Sequence, residues 1–171
     1  MAGSFVVRDA LPDDVSAIAE VYAYYVIETI TTFETVPPNE DAWLDLLRTA
    51  RQAGHPFLVG TLDSAVVGYA YVNRWKTKPA YARTVENSIY LAPDQAGYGH
   101  GRTLLDELLL RAAAAGAREV IAVIADTGNP ASVALHRSAG FTDAGRLRRV
   151  GFKHGRWIDT VLMQHTLETV D

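Results

Sequence analysis

The stretch TVENSIYLAPDQAGYGHGRTLLDELLLRAAAA, residues 84–115, decides how the chain is read. Its first seven residues, Thr84 to Tyr90, predict a strand, and Pro93 turns the chain out of it. Glycine then recurs at alternate positions in Gly97-Tyr98-Gly99-His100-Gly101. A helix follows directly, with Leu105, Leu108, Leu109 and Ala112 on one face and an end near Gly116. A strand, a glycine-rich turn and a helix N-terminus in succession make an anion site. Glycine lets the backbone approach closely, the N–H groups of the first turn have no partner, and the helix dipole favours negative charge. A phosphate-bearing ligand is therefore expected on Gly97 to Arg102. Two common nucleotide motifs are excluded: Arg102 and Thr103 follow the glycines where a P-loop needs Lys-[Ser/Thr], and G-x-G-x-G in mid-chain is not G-x-G-x-x-G. The same glycines also suit a turn that only caps a helix.

Working outward, 171 residues suffice for one well-buried domain, expected to span 1–171. A net charge of −4 argues against nucleic acid as a partner. The chain has no cysteine, which excludes disulfides, thiolate metal sites and a cysteinyl acyl intermediate, so any group transfer is direct or uses another nucleophile. His55, His100, His154 and His165 show no ligand spacing, and no metal is assigned. Met1 to Ser4 lacks the features of a leader, and Val120 to Ala125 is too short to cross a bilayer. A cytoplasmic protein with no membrane partner is expected.

The remaining elements follow from periodicity. Phe5 to Val7 reads as a short strand. Pro12, with Asp13 and Asp14, opens a helix whose stripe is Val15, Ile18, Ala19, Tyr22, Tyr25 and Val26. Pro37-Pro38 breaks the chain, and Asn39 can cap a second helix carrying Trp43, Leu46 and Leu47. Phe57 to Thr61 and Ala65 to Val72 predict an antiparallel pair, and Asn73 to Ala82 a loop of basic and aromatic residues. Val120 to Ile124 is continuously apolar, the pattern of a strand buried on both faces. Asn129-Pro130 opens a short helix closed by Gly140, and Leu147 to Phe152 and Trp157 to Met163 flank a hairpin turn at His154-Gly155. The fold class is mixed α/β.

This order of elements resembles the GNAT N-acetyltransferase superfamily, whose signature [R/Q]-x-x-G-x-[G/A] maps onto Ala96 to Gly101, with Ala96 where Arg or Gln is usual and Gln95 one position earlier. Nearly the whole chain resembles the phosphinothricin/methionine sulfoximine acetyltransferase family. The resemblance is carried by W-K-x-x-x-A-Y-x-x-T-V-E (Trp75 to Glu86), S-V-x-L-H-x-x-x-G-F (Ser132 to Phe141) and K-H-G-x-W-x-D (Lys153 to Asp159). It implies an α/β (α+β) GNAT fold: a central mixed, mostly antiparallel twisted sheet with a splayed strand pair, flanked by helices. It also implies acetyl-CoA as co-substrate, a small amino-acid-like acceptor, and a homodimer.

The resemblance distributes the chemistry as follows. Gly97, Tyr98, Gly99, His100, Gly101 and Arg102 hold the pyrophosphate through their N–H groups. Ile89, Tyr90 and Leu91 present main-chain N–H groups to the pantetheine arm and thioester oxygen, and Asn129 and Ser132 contact the cofactor. Glu86, in a strand otherwise of Thr, Val, Ser and Ile, is the candidate base, because a desolvated carboxylate holds a proton more tightly. His136 is the second catalytic candidate, as acid toward the thiolate or as base. Arg74, Trp75, Lys76, Arg83, the Val85 main chain and Phe33 are placed at the acceptor, where Arg and Lys suit its oxyanions. Two other functions remain open in the sequence: acetylation of a peptide or protein amine, and a silent acetyl-CoA-binding module.

Overall fold

A computed structural model describes residues 3–168. Its strands are β1 (Phe5–Asp9), β2 (Phe57–Leu62), β3 (Ala65–Arg74), β4 (Thr84–Leu91), β5 (Glu119–Ala125), β6 (Thr142–Lys153) and β7 (Arg156–Thr166). They form one sheet in the order β1-β2-β3-β4-β5-β7-β6. Every neighbouring pair is antiparallel except β4 and β5. Four helices flank it: α1 (Val15–Glu28), α2 (Glu40–Gln52), α3 (His100–Ala114) and α4 (Ala131–Ser138).

Strand alternation divides the apolar residues between two cores. Leu58, Ala70, Val72 and Val85 face one way and bury Leu104, Leu105 and Leu108 of α3. Phe57, Val59 and Tyr69 face the other and bury Ile18 and Val21 of α1 with Trp43 and Leu47 of α2. The helices start where the sequence marks them. Pro12–Asp14 forms a single 3-10 turn leading into α1, and the Asn39 side chain accepts the Ala42 N–H at 3.0 Å. Two expectations shift. β3 runs to Arg74, so the basic loop begins at Trp75, and β6 and β7 are longer than their apolar cores.

The feature that shapes the site is a divergence. β4 and β5 are in register only at Thr84–Glu119, Val85–Val120 and Glu86–Ile121. Beyond Glu86, β4 continues along β3 as far as Leu91, while β5 continues along β7 as far as Ala125. This corrects the reading of Val120 to Ile124 as buried on both faces. Val120, Ala122 and Ile124 are in the core, but Val123 is 37% exposed because the departing strand leaves its face uncovered.

The entry to α1 is pinned electrostatically. The Asp14 carboxylate accepts the Arg8 guanidinium at 2.6 and 2.8 Å and the Leu11 N–H at 2.8 Å. The Arg8 hydrogen bond, chiefly, holds its pKa below the ordinary value. A depressed folded-state pKa contributes stability above the unfolded pKa and loses it as pH falls through the folded one. Asp14→Asn is expected to cost about 1.5 kcal/mol, the low end for a charge-assisted bond because Arg8 is partly exposed. Urea unfolding should show that difference at pH 7 and a smaller one near pH 3.

Candidate active site

A cleft of about 790 Å³ opens where β4 parts from β5. At one end lies the glycine loop. Gly97 and Gly99 adopt φ of +86° and +83°, a conformation that L side chains rarely take, and a Cβ at either would project into open space. Gly99 is the N-cap of α3, and its carbonyl accepts the N–H groups of Arg102 (3.1 Å) and Thr103 (3.2 Å). His100 and Gly101 are therefore the orphan donors of the first turn, while the Arg102 N–H is already engaged. The Arg102 side chain lines the cleft and is braced by Asp106 (2.7 Å) and the Ser138 carbonyl (2.5 Å). Tyr98 is exposed and lies outside the lining. The His100 ring also lies outside it, stacked on Phe5 at 4.2 Å and 8°.

Along β4 the hydrogen-bond parity can be worked out. Trp75 N–H donates to the Thr84 carbonyl and Ala92 N–H to the Val67 carbonyl, one at each end of the β3–β4 register. The even-numbered residues between them, Glu86, Ser88 and Tyr90, therefore turn their N–H groups into β3. Ile89 and Leu91 turn theirs toward the cleft. Of the three main-chain donors expected from sequence, two are free and Tyr90 is spent on the sheet. The Leu91 carbonyl on the cleft side is taken by the Tyr25 hydroxyl at 2.6 Å.

Glu86 sits at the fork, on the cleft lining and half-buried. Burial raises its pKa above the ordinary value, and the charge of Lys76 partly opposes the rise. Its neighbours are aromatic: Tyr22, Tyr25, Tyr71 and Tyr90 share the lining, with Tyr22 and Tyr25 each about 5 Å from Tyr90 in ring separation (5.0 and 5.1 Å). The 29–35 segment closes this end with Thr31, Thr32, Phe33 and Glu34. Two carboxylates among tyrosine rings and hydroxyls make a surface suited to an ammonium group.

His136 is buried (2% exposed), on α4 opposite β4. Its Nδ1 lies 2.8 Å from the Ser132 carbonyl and must donate there. Burial lowers its pKa, so the ring is neutral, and Nε2 accepts from the Asn87 side-chain amide at 2.9 Å. In this tautomer no N–H is left to protonate a thiolate, so the acid role expected from sequence has no donor here. The Asn87 Oδ1 is buried with no partner. Asn129 and Ser132 both line the cleft at the start of α4, and Asn129 accepts the Ala131 N–H at 3.0 Å.

The acceptor residues divide. Phe33 lines the cleft, but Arg74 at the end of β3 and Trp75, Lys76 and Arg83 of the segment between β3 and β4 do not. Lys76 lies over the Trp75 ring at 4.7 Å, with its charge felt at Glu86. The Val85 side chain belongs to the core on the α3 face. Sequence reading misses Tyr22, Tyr71, Glu34 and Asn87 as site residues. Asn87 alone carries a signal, being a polar residue at the core parity of Val85 and Ile89. Among the described residues no group of three or more His, Asp or Glu is placed to hold a metal, and no helix is long and apolar enough to cross a membrane.

A model of the acetyltransferase (GNAT) family matches residues 18–141. The phosphinothricin N-acetyltransferase of Alcaligenes faecalis is 45% identical over 166 residues, covering 97% of this chain and 83% of that protein. The L-methionine sulfoximine/L-methionine sulfone acetyltransferase of Pseudomonas aeruginosa is 38% identical over 167 residues, covering 95% and 94%. Among solved structures, a GNAT superfamily phosphinothricin acetyltransferase from Sinorhizobium meliloti in complex with acetyl-CoA superposes with a TM-score of 0.91 at 41% identity, covering 98% of this chain and 89% of that one.

Proposed function

Because this chain belongs to the acetyltransferase (GNAT) family, we propose that it transfers the acetyl group of acetyl-CoA directly to the α-amine of a small amino-acid analogue of the phosphinothricin or methionine sulfoximine type. The observation that carries this reading is Glu86: a half-buried carboxylate of raised pKa at the fork of the splayed strands, between an anion-binding loop and a tyrosine-lined pocket. The curated relatives acting on such acceptors support the substrate class.

The cleft fits acetyl-CoA on its own features. The αL glycines leave open space beside unpartnered N–H groups, which suits a pyrophosphate. The free N–H groups of Ile89 and Leu91 suit the amide arm and the thioester oxygen. Asn129 and Ser132 line its path at the start of α4. Acetyl-CoA supplies the activated acyl group, and the remaining work falls to the chain. Glu86 accepts the ammonium proton, directly or through water, and so frees the nitrogen lone pair. The new N–C bond forms as the C–S bond breaks; the acylated nitrogen gives up its second proton to solvent, and the departing thiolate takes one proton from solvent. His136, its pKa lowered by burial and its ring oriented by Asn87 and Ser132, adds no positive charge at its end of the cleft. Lys76 is the cation we assign to the acceptor's anionic end, with Arg74 and Arg83 drawing the anion toward the mouth.

We read the functional unit as a homodimer working in the cytoplasm. Support for the dimer comes from β6, an edge strand that exposes Leu147, Val150 and Phe152 beside Trp157 of β7. Light scattering of the purified protein tests it.

The substrate reading is tested by acetyl-CoA-dependent CoA release over phosphinothricin, methionine sulfoximine, methionine sulfone, a neutral primary amine and a short peptide. The amino-acid analogues are expected to exceed the neutral amine in kcat/KM by roughly 10–10²-fold, the worth of one or two charge-assisted contacts. A preference for the peptide amine would replace this reading with acetylation of a peptide or protein, and no CoA release with any amine would leave a binding module.

A further inference from the structure

The motif Lys153-His154-Gly155-x-Trp157-x-Asp159 has no part in the chemistry above, and its side chains lie outside the cleft lining. The geometry points to a use for it: we propose that the β6–β7 hairpin, through Lys153 and Gly151, is a clamp that positions the 29–35 segment and thereby sets affinity for the acceptor. Lys153 is a positioning residue and not a catalytic one.

The chain of contacts starts at Asp159. Its Oδ1 accepts the Arg149 N–H at 2.8 Å and its Oδ2 the Arg146 Nε at 2.9 Å. Arg149 has φ +53° and sits in the irregularity between Leu147 and Gly151, so Asp159 stabilises the bulge that resets the register of β6. After the bulge, Gly151 pairs with Ile158 and Lys153 with Arg156 across the turn. Phe152 and Trp157 point outward, while Gly151 and Lys153 face the α1 side of the sheet.

Two contacts there reach the cleft-lining segment. A Cβ on Gly151 would collide with the Phe33 ring, so the ring rests on bare backbone. Gly151 is not in a left-handed conformation, so its small size and not its flexibility is what this place requires. Lys153 is 4% exposed, and its Nζ donates to the Thr32 carbonyl at 2.9 Å and reaches the Tyr25 carbonyl, at the last turn of α1, at 3.4 Å. On the opposite side the Tyr22 hydroxyl meets the Thr32 Oγ1 at 2.5 Å, and the Thr29 hydroxyl donates to the Tyr25 carbonyl at 2.7 Å. The segment bearing Phe33 and Glu34 is thus held between α1 and the hairpin. A buried ammonium is costly unless its donors are used, which makes the two carbonyls the reason it is there.

That the segment serves an acceptor rests on the function proposed above, whereas the clamp does not. The test therefore has two readouts. Hydrogen exchange of Lys153→Met is expected to speed the 29–35 amides about 10-fold with no change at 97–102, the loss of one charge-assisted bond. In steady-state kinetics, Lys153→Met and Gly151→Ala are each expected to raise the acceptor KM by about 10-fold and leave the acetyl-CoA KM within about twofold. Lys153→Arg should recover part of the loss. In a Phe33→Ala background, Gly151→Ala should have no further effect. Unchanged exchange at 29–35 would overturn the clamp, as would a parallel rise of both KM values with a lower Tm, which is what plain destabilisation gives. If Lys153→Met does not fold, Gly151→Ala with and without Phe33→Ala decides the question. If the wild type acetylates none of the amino acids, the proposed substrate class fails and exchange at 29–35 decides the clamp alone.

Discussion

Glu86→Gln is expected to lower kcat by about 10²–10⁴, the usual worth of a positioned base, while the acetyl-CoA Kd changes little. The side chain keeps its shape and loses only its ability to take a proton. In the wild type, activity should fall as pH drops through the Glu86 pKa, and because burial raises that pKa, against the charge of Lys76, the acid limb is shifted upward from where an exposed glutamate would put it. Burial also moves the His136 pKa down from its ordinary value, toward that of Glu86 from the other side. Position alone therefore does not assign the limb. Temperature does, because carboxylate ionisation carries little enthalpy and imidazole ionisation a good deal. A limb that moves strongly on warming and persists in Glu86→Gln would pass the base role to His136. The stability profile gives an independent check. A folded-state pKa above the unfolded one means that stability is lost as pH rises from the unfolded value to the folded one, and the loss persists at neutral pH. Glu86→Gln should thus be more stable than the wild type at pH 7 and equal to it near pH 3. A side chain that costs stability and is needed for turnover has the energetics of a working group and not of a structural one.

The parts of this molecule legible in its sequence are those set by local chemistry. Gly97 and Gly99 are readable because only glycine adopts the left-handed turn cheaply, and Pro12, Asn39 and Gly140 because helix ends need particular residues. The divergence of β4 from β5 is not readable from residues, since register is a relation between segments more than 30 positions apart; the family resemblance is what implies it. Its consequences are hidden for the same reason. Val120 to Ile124 is apolar enough for two buried faces, and only the missing neighbour exposes Val123. Tyr22 and Tyr25 lie on the helical stripe of α1 and read as core, because periodicity gives the face of a helix but not whether that face meets a wall or a cleft. Arg74, Lys76 and Arg83 go the other way. Basic residues beside aromatics make a compositional signal, but whether they line a site depends on where β3 ends. Glu34 lies in a segment without periodicity and has no signal.

Gly99→Val is expected to raise the acetyl-CoA Kd by roughly 10–10²-fold, the equivalent of about 1.4–3 kcal/mol of charge-assisted bonding to the pyrophosphate. Two effects act together. At φ +83° a β-branched residue is strained, so the loop shifts and its N–H groups turn away, and the new side chain fills the space that the Cβ position shows to be open. Strain alone must be separated from loss of the site. Gly116 provides the control, since it has φ +93°, sits past the far end of α3, and likewise has open space beside it. Gly116→Val should lower Tm by an amount similar to Gly99→Val and leave the acetyl-CoA Kd unchanged. Calorimetric titration of both folded variants with acetyl-CoA, and with CoA lacking the acetyl group, reads the difference. The two ligands should weaken together in Gly99→Val, because each engages the loop through its phosphates and not through the thioester. If Gly99→Val bound acetyl-CoA as tightly as Gly116→Val does, the glycine loop would be only the cap of α3, and the cleft would have to hold its ligand through Ile89, Leu91 and the start of α4.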